Sequence, residues 1–506
     1  MGAGDKGVAT QMDIKAKTIR SVTAASGGHI LRKILDLAKH IILARLLIPE
    51  DFGIVALALF LSEMLRQIGS AGLSEAVIQR HDADERTLHA GFTFSLISSV
   101  VFYGIVWFTS GVYAKFYDND QVDLVVKVLG LCMITRALGF IPETMLVKQL
   151  DFRKTVIVDL LAAVGGASLS IVLAVSGFGY WSIVYGIVAK SCLTASLLFV
   201  FRPSRVQVVF DLGIARRLFP FGIQIVLTSI LVFLVNKLPD AIIGGILGTT
   251  ALGYYFFAFR WANIVAIDIG QVLGKVLYPA FSLVQNQSGQ VKRGYLKALK
   301  YFAMAMVPCS IGMAGVAPEF VVVVLGEKWS LAVGPMQILC FAGLLKSLGV
   351  VGGAARRGIG RPEVSNYLLG IELVVMVLLV FPMTYVMGFV GASVAVLITS
   401  GTMSMVVFYV DKVLFGMKLA DIWAVLKHPF SGSAIMFGLI AIERAMLTGA
   451  NEAMALGVFI STGILSYSMY TMWSSPELRT KVVGFPWRGL LGPSEELEQD
   501  ISRQVR

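Results

Sequence analysis

The stretch GGHILRKILDLAKHIILARLL, residues 27–47, combines two properties that conflict in a membrane. It is long and apolar enough to cross a bilayer as a helix, which needs about 20 residues. At about 100° per residue, its ionisable side chains nevertheless gather on one stripe. The members of this stripe are His29, Arg32, Lys33, Asp36 and His40, with Lys39 just beside them. Such a helix is predicted to turn its charged stripe towards a polar space.

The composition of the whole chain indicates a membrane protein. Of its 506 residues, 56% are hydrophobic and 15% are charged, whereas about 25% of the residues of a soluble protein are charged. The first 20 residues are polar and basic and lack the apolar core of a cleavable signal peptide, so the first membrane helix is expected to direct insertion. We therefore predict a polytopic membrane protein.

Hydropathy predicts an all-α fold of about 14 transmembrane helices, or 12 if the last pair is an appendage. The predicted helices span residues 20–47, 52–78, 88–112, 123–147, 155–177, 180–201, 219–246, 251–283, 295–317, 332–356, 364–386, 389–414, 421–445 and 452–473. The predicted organisation is a cytoplasmic tail (1–17), an N-lobe (18–203), a C-lobe (204–415), an additional helix pair (416–475) and a second cytoplasmic tail (476–506).

The basic residues between these helices predict the orientation. With both termini in the cytoplasm, the inner loops hold nineteen Lys and Arg residues and the outer loops hold five, namely Arg45, Lys115, Lys127, Lys328 and Arg444. Basic residues concentrate on the cytoplasmic side of membrane proteins. This bias accounts for much of the net charge of +11, and no basic domain is left for nucleic acid.

An internal repeat relates the two predicted lobes. At an offset of 200 residues, AKHIILARLLIPEDFG (38–53) aligns with LPDAIIGGILGTTALG (238–253). At an offset of 208, LCMITRALGF (131–140) aligns with LCFAGLLKSL (339–348). Six helices per repeat give both lobes the same orientation, which is typical of transporters with a substrate path between two parallel repeats. We therefore expect two pseudo-symmetric lobes around a central cavity.

Ionisable residues inside the predicted helices are the candidate functional residues, because such residues usually face protein, water or substrate. The predicted cationic surface consists of Arg32, Lys33, Lys39, Arg66, Lys237 and Arg260. The candidates for binding a driving proton or sodium ion are Asp36, Glu63, Asp240, Asp268 and Glu372, and His29 and His40 also titrate near neutrality. Further charges within the helices are Arg136, Glu143 and Lys346.

A purely structural interpretation covers part of this set. Glu63 with Arg66, and Lys237 with Asp240, have the i,i+3 spacing at which opposite charges neutralise each other along one helix. The first helix is different, because Asp36 is the one acid among several basic residues on its stripe. Excess positive charge in a cavity predicts an anionic passenger, and the planar fork of arginine suits phosphate.

Motifs for catalysis and cofactor binding are missing from the sequence. It contains no Walker loop, no G-x-S-x-G and no HExxH signature, and Cys132, Cys192, Cys309 and Cys340 lie singly in apolar stretches. We therefore predict neither an enzyme nor a metal site, and no cofactor beyond a coupled H⁺ or Na⁺.

Six stretches together resemble the polysaccharide transporter branch of the MOP flippase superfamily, the Wzx-type exporters. They are ARLLIPEDFGIVALA (44–58), GLSEAVIQR (72–80), FIPETMLVKQLDFRK (140–154), GTTALGYYFFAFR (248–260), LGEKW (325–329) and ARRGIGRPE (355–363). The resemblance implies a flippase of undecaprenyl-diphosphate-linked oligosaccharide repeat units in the bacterial inner membrane. It also implies ion-driven alternating access and contacts with membrane lipids, a polysaccharide polymerase and export machinery.

The resemblance carries over to three arginines. In the related lipid II flippases, arginines on the first, second and eighth helices face the central cavity. Arg32, Arg66 and Arg260 match them by helix and depth. The spacing on the first helix differs, so Lys33 and Lys39 remain alternatives to Arg32 as the residue that contacts the diphosphate.

Two other functions remain as alternatives. A drug or cation antiporter of the MATE type is expected to have an acidic cavity, whereas the charges here are mainly basic. A non-transporting membrane scaffold of a glycan assembly complex is expected to function without its membrane-embedded charges.

The predicted orientation is tested with single cysteines. In a chain without its four native cysteines, cysteines introduced at residues 80, 205 and 357 should react with a membrane-impermeant maleimide only from the cytoplasmic side, because these positions lie in the predicted inner loops. Labelling of any of them in intact cells would overturn the orientation.

Overall fold

The computed structural model describes most of the chain. The described residues are 27–28, 30–70, 72–79, 84–149, 151–264, 270–285, 287–447, 449 and 451–474. Two of the candidate residues, His29 and Asp268, lie outside them, as do position 80 and the predicted tails 1–17 and 476–506. Below, residues up to 203 are called the first half and residues 204–415 the second half. The predicted division into two lobes stays a prediction.

Within the described ranges, the chain is built from helices. The first, α1, covers 27–28 and 30–46. It is followed by α2 Pro49–Gly69, α3 Leu73–Gln79, α4 Glu85–Phe116, α5 Gln121–Leu138, α6 Phe140–Lys148, α7 Phe152–Val175, α8 Tyr180–Phe201, α9 Leu212–Asn263, α10 Gly270–Leu283, α11 Ser288–Phe320, α12 Val333–Gly358, α13 Pro362–Phe415, α14 Leu419–Met446 and α15 Glu452–Ser474. A π-helical turn, Val321–Leu325, and a 3-10 helix, Glu327–Ala332, connect α11 to α12.

Two of these elements, α9 and α13, each consist of two helices that meet at a glycine. Gly248 in α9 and Gly388 in α13 have φ values of 81° and 64°, a left-handed region that glycine adopts without steric cost. A Cβ at Gly391 would lie 2.0 Å from the carbonyl oxygen of Met383, which shows that the chain turns back at Gly388. Each pair therefore contains two of the predicted spans, the seventh with the eighth and the eleventh with the twelfth.

The predicted all-α membrane fold is confirmed. Of the described helices, ten are long and apolar enough to cross a membrane, and the bent pair α5–α6 makes eleven. With α9 and α13 each counted as two spans and α1 added, the count agrees with the fourteen predicted. The predicted span 52–78 is divided into α2 and α3, and the predicted span 251–283 covers the end of α9 and all of α10, with residues 265–269 outside the described ranges.

The bend between α5 and α6 has a local cause. The two helices meet at Gly139 with an angle of 50°. Pro142 lies in the first turn of α6. Because proline has no amide hydrogen and its ring clashes with the carbonyl four residues earlier, here that of Leu138, it stops α5 at that residue.

One end of α1 is held by the second half of the chain. The indole Nε1 of Trp329 donates a hydrogen bond to the backbone oxygen of Ala44 at 3.0 Å. Arg45 Nε donates to the backbone oxygen of Val324 at 3.0 Å, and Lys328 Nζ donates to that of Arg45 at 2.9 Å. Trp329 is fully buried. These contacts fasten α1 to the connection between α11 and α12.

Glycines bring α2 and α9 into backbone contact beside this joint. A Cβ at Gly53 would lie 1.8 Å from the backbone oxygen of Thr249, and a Cβ at Gly253 would lie 1.9 Å from that of Pro49. Small residues permit such close approach of helices in membranes. The largest cluster of buried apolar residues surrounds this crossing and joins the two halves.

Gly53→Ala and Gly253→Ala should each destabilise the protein. The added methyl groups meet backbone oxygens, which cannot move aside as a side chain can, and overpacking of this kind costs about 1–3 kcal/mol. The apparent melting temperature in detergent measures the effect. Gly370→Ala is the matched control, because a Cβ at this helical glycine meets nothing within 4 Å. Equal melting temperatures for all three variants would contradict the proposed crossing.

Candidate functional site: a cation-rich cavity beside the first helix

The charged stripe of α1 lines a cavity between α1, α7 and α8. The cavity has a volume of about 230 Å³. From α1 it is lined by Arg32, Lys33, Asp36 and Lys39, and from α8 by Lys190. We call this space the cationic cavity. Three of the six residues predicted for the cationic surface are thus brought together here.

Asp36 is the acid of this cavity. Lys39 Nζ lies 3.4 Å from Asp36 Oδ1, and Arg260 of α9 forms an ion pair with Asp36 Oδ2. His40 Nδ1 donates to the backbone oxygen of Asp36 at 2.6 Å. Because Asp36 and Arg260 are 224 residues apart, their contact joins the two halves of the chain.

The crossing of α7 and α8 positions Lys190. A Cβ at Gly166 would lie 2.7 Å from the Cβ of Lys190, and a Cβ at Gly186 would lie 1.7 Å from the hydroxyl oxygen of Ser170. Larger residues at these glycines would push the helices apart. The close crossing therefore keeps the stem of Lys190 against α7, beside the charged stripe of α1.

Among the described residues, the lining of the cationic cavity is mainly basic. Four basic side chains line it, and Asp36, the acid of this part of the lining, is bonded to Arg260 from outside the lining. Asp36 is 32% exposed and Lys39 is 19% exposed, so the cavity is open to a ligand. A cavity with this balance attracts anions, and its mixture of a planar guanidinium and mobile ammonium groups suits phosphate oxygens.

The other predicted cations lie elsewhere. Arg66 Nε donates to Glu63 Oε2 at 2.9 Å, and Lys237 Nζ lies 2.8 Å from Asp240 Oδ2, so both i,i+3 pairs form as the structural interpretation predicted. Lys237 also lies 5.5 Å from the ring centre of Phe256. Arg66 lines a second cavity of about 320 Å³. The structure therefore does not gather all six cations in one place.

A third cavity lies in the second half, between α9, α10, α12 and α13. Its volume is about 650 Å³. Lys346 and Glu372 line it and form an ion pair of 3.4 Å. At one end, Arg356 is bonded to Asp411, and Tyr295 Oη donates to the same carboxylate at 3.0 Å. Arg357 also lines this cavity, so its basic side chains outnumber its acids too, by a smaller margin than in the cationic cavity.

Comparison with known protein families places this chain in one of them. A model of the family described as polysaccharide biosynthesis protein matches residues 42–334, more than half of the chain. The chain belongs to this family. The resemblance seen in the six sequence stretches is thereby confirmed.

Relatives in the polysaccharide biosynthesis family extend the match beyond this region. The chain is 25% identical over 424 residues to the teichuronic acid biosynthesis protein TuaB of Bacillus subtilis (strain 168), which covers 81% of this chain and 86% of the relative. It is 28% identical over 326 residues to the succinoglycan biosynthesis transport protein ExoT of Rhizobium meliloti (strain 1021), covering 63% of this chain and 65% of the relative. With the lipopolysaccharide biosynthesis protein WzxC of Escherichia coli (strain K12), it is 24% identical over 348 residues, 67% of this chain and 69% of the relative.

Solved structures show the same fold. The lipid II flippase MurJ in an inward closed conformation superposes with a TM-score of 0.71 at 13% identity, covering 90% of this chain and 99% of the other. An inward-facing multidrug resistance MATE transporter of the MOP superfamily gives a TM-score of 0.62 at 16% identity, covering 78% and 98%. At these identities the likeness concerns the fold alone. This member of the polysaccharide biosynthesis family is thus a multi-pass membrane protein with the MOP architecture.

Two groups of residues in this family member were missed from the sequence. Lys190 lies in the apolar helix YWSIVYGIVAKSCLTASLLFVF, where the rule that flagged the other membrane-embedded charges also applies. Asp411 and Tyr295 complete the environment of Arg356, the last residue of the predicted span 332–356. Their grouping depends on three helices far apart in sequence, and no local pattern reveals it.

The Asp36–Arg260 pair is tested by a double-mutant cycle. Asp36→Asn leaves Arg260 and Lys39 without their carboxylate, and Arg260→Gln leaves Asp36 with one basic partner fewer. The double variant should therefore lose less stability than the sum of the single losses, by about 1 kcal/mol or more. Thermal unfolding in detergent measures this coupling energy. Asp36→Asn combined with Arg444→Gln, whose arginine pairs with Glu319, should be additive; additivity in the first cycle would contradict the ion pair.

Proposed function

We propose that this protein is a flippase that moves polyprenyl-diphosphate-linked oligosaccharide repeat units across the bacterial inner membrane. The units would serve the synthesis of an exopolysaccharide, a capsule or an O-antigen. The proposal is supported by the family to which the chain belongs, by relatives named for the biosynthesis or transport of polysaccharides, and by a fold shared with a lipid II flippase.

The cationic cavity is the observation that carries the proposal. A diphosphate that crosses a bilayer must exchange its hydration for another set of hydrogen-bond donors, because hydrocarbon supplies none. Arg32, Lys33, Lys39 and Lys190 supply such donors around one carboxylate. Arg260 and Asp36 tie this cavity to the second half, so a headgroup bound there lies where the two halves meet. Relative movement of the halves then exposes the headgroup first to one leaflet and then to the other.

The remaining features of the proposal follow from the sequence. Both termini are cytoplasmic, so that the end of α1 near Trp329 faces outwards and the end of α12 near Arg356 faces inwards. The protein catalyses no covalent reaction, and a proton or sodium gradient drives the cycle. Asp36, Glu63, Asp240, Asp268 and Glu372 are the candidates for the coupling group. Membrane lipids, a polysaccharide polymerase and export machinery are the expected partners.

The charge of the cavity separates this function from its alternatives. An exporter of cationic drugs would hold its substrate in an acidic cavity, whereas four basic residues line this one. A scaffold for glycan assembly would keep its function when the same residues are neutralised.

Neutralisation of the cavity should therefore abolish polysaccharide export. In a bacterial strain that depends on this chain, Arg32→Ala and Lys190→Ala should each lower surface polysaccharide by about tenfold or more, since each removes a charge-assisted hydrogen bond to phosphate. Immunoblotting of membranes shows that the variants are inserted, and Lys115→Ala at the exposed end of α4 is the control that keeps full output. Full output from Arg32→Ala and Lys190→Ala together would refute the cavity as the headgroup site.

A further inference from the structure

The second cavity, of about 320 Å³, lies between α2, α3, α4, α5 and α6 of the first half and the start of α9 of the second half. The bend at Gly139 places Arg136 of α5 and Glu143 of α6 on either side of it, and both side chains line the cavity. Arg66 and Glu75 line it from α2 and α3. We call this space the neutral polar cavity, because two arginines and two glutamates offset each other.

Its charge distinguishes the neutral polar cavity from the cationic cavity. Arg66 is already bonded to Glu63, so the lining offers no excess of positive charge for a phosphate. Arg136 and Glu143 attract each other electrostatically. The ion pairs found among the described residues do not include these two. The cavity thus presents donors and acceptors together, with no preference for either sign of charge.

Serine hydroxyls add to this polar surface. Ser95 and Ser99 are buried on α4 and line the cavity together with Ser229 of α9. None of the hydrogen bonds between described residues uses these three hydroxyls. In the cavity of about 650 Å³ the situation is reversed. There the hydroxyls of Ser347, Ser400 and Ser404 donate to the backbone oxygens of Leu344, Val396 and Leu345 at 2.7, 2.7 and 3.1 Å.

The neutral polar cavity adjoins the cationic cavity. Thr135 of α5 and Ser191 of α8 are joined by a hydrogen bond of 2.6 Å between their side-chain oxygens. The next residue after Thr135 is Arg136, which lines the neutral polar cavity, and the residue before Ser191 is Lys190, which lines the cationic cavity. Residues that flank this one contact between α5 and α8 therefore line the two spaces.

We propose that the neutral polar cavity binds sugar residues of the lipid-linked glycan, with Arg136 and Glu143 as specificity-determining residues. This inference rests on the proposed function. A sugar offers several hydroxyl groups, each both donor and acceptor, and needs neighbours of both kinds in a space without excess charge. The guanidinium of Arg136 donates, the carboxylate of Glu143 accepts, and the serine hydroxyls do both. The diphosphate occupies the cationic cavity next to it.

The test compares two lipids. One is undecaprenyl diphosphate, and the other is the lipid-linked oligosaccharide purified from a strain without the gene for this chain. Binding of each to the full chain in nanodiscs is measured by microscale thermophoresis. Arg136→Gln and Glu143→Gln should each weaken binding of the oligosaccharide lipid by about tenfold, one hydrogen bond to a charged group, and change binding of undecaprenyl diphosphate by less than about twofold.

Matched controls separate this effect from a loss of fold. Arg153→Gln removes an exposed arginine at the start of α7 and should leave both affinities unchanged, and melting temperatures show whether each variant is folded. Equal losses of affinity for both lipids, or no loss for either, would overturn the sugar site. Binding of undecaprenyl diphosphate by the unaltered chain would still support the proposed function in that case. Failure of the unaltered chain to bind either lipid would instead refute the proposed function itself.

Discussion

A charged side chain inside a bilayer needs a partner, because hydrocarbon offers it no water, and this requirement organises the structure from α1 onwards. Acids and bases meet along one helix or between neighbouring helices, in the pairs Glu63–Arg66, Lys237–Asp240, Lys346–Glu372 and Arg356–Asp411. Each of these pairs balances its own charge. The cationic cavity differs in its lining, because its described charged residues are four basic side chains and the carboxylate of Asp36.

Close backbone contact is the second condition for this arrangement. Water does not drive helices together in lipid, so they associate through tight packing between small residues. Gly53 and Gly253 let α2 and α9 touch near Trp329, where the two halves are joined. Gly166 and Gly186 do the same for α7 and α8, and there the contact positions Lys190. Close helix packing at glycines thus joins the two halves in one place and positions a residue of the candidate site in another.

Properties that depend on local composition could be predicted from the sequence. Hydropathy located the helices within a few residues, and the i,i+3 spacing anticipated the pairs of Arg66 and Lys237. The stripe on α1 indicated a polar space beside this helix, and residues of the stripe line one cavity. The interruption between α2 and α3 escaped prediction, because hydropathy stays high through a helix that is broken.

The partners of Asp36 could not be predicted, since Arg260 is 224 residues away and Lys190 enters through a helix crossing. The sequence therefore favoured one central surface of six cations, whereas the structure places Arg32, Lys33 and Lys39 in one cavity and Arg66 in another. Lys237 and Arg260 are in the lining of neither. The reason is physical. A lysine or arginine with an acid one turn away on its own helix finds a partner without tertiary contact, so it contributes little to a shared surface.

The separation between the cationic and the neutral polar cavity has a consequence for the proposed substrate. If Lys190 shared a space with Glu143, the ammonium and the carboxylate would pair, and neither would be left for a phosphate or a sugar. In the structure Lys190 and Glu143 line different cavities, and Thr135 and Ser191 form a hydrogen bond between α5 and α8. A ligand with an anionic headgroup next to a neutral glycan matches that order of cavities. A simple anion would use only the first of them, and a free sugar only the second.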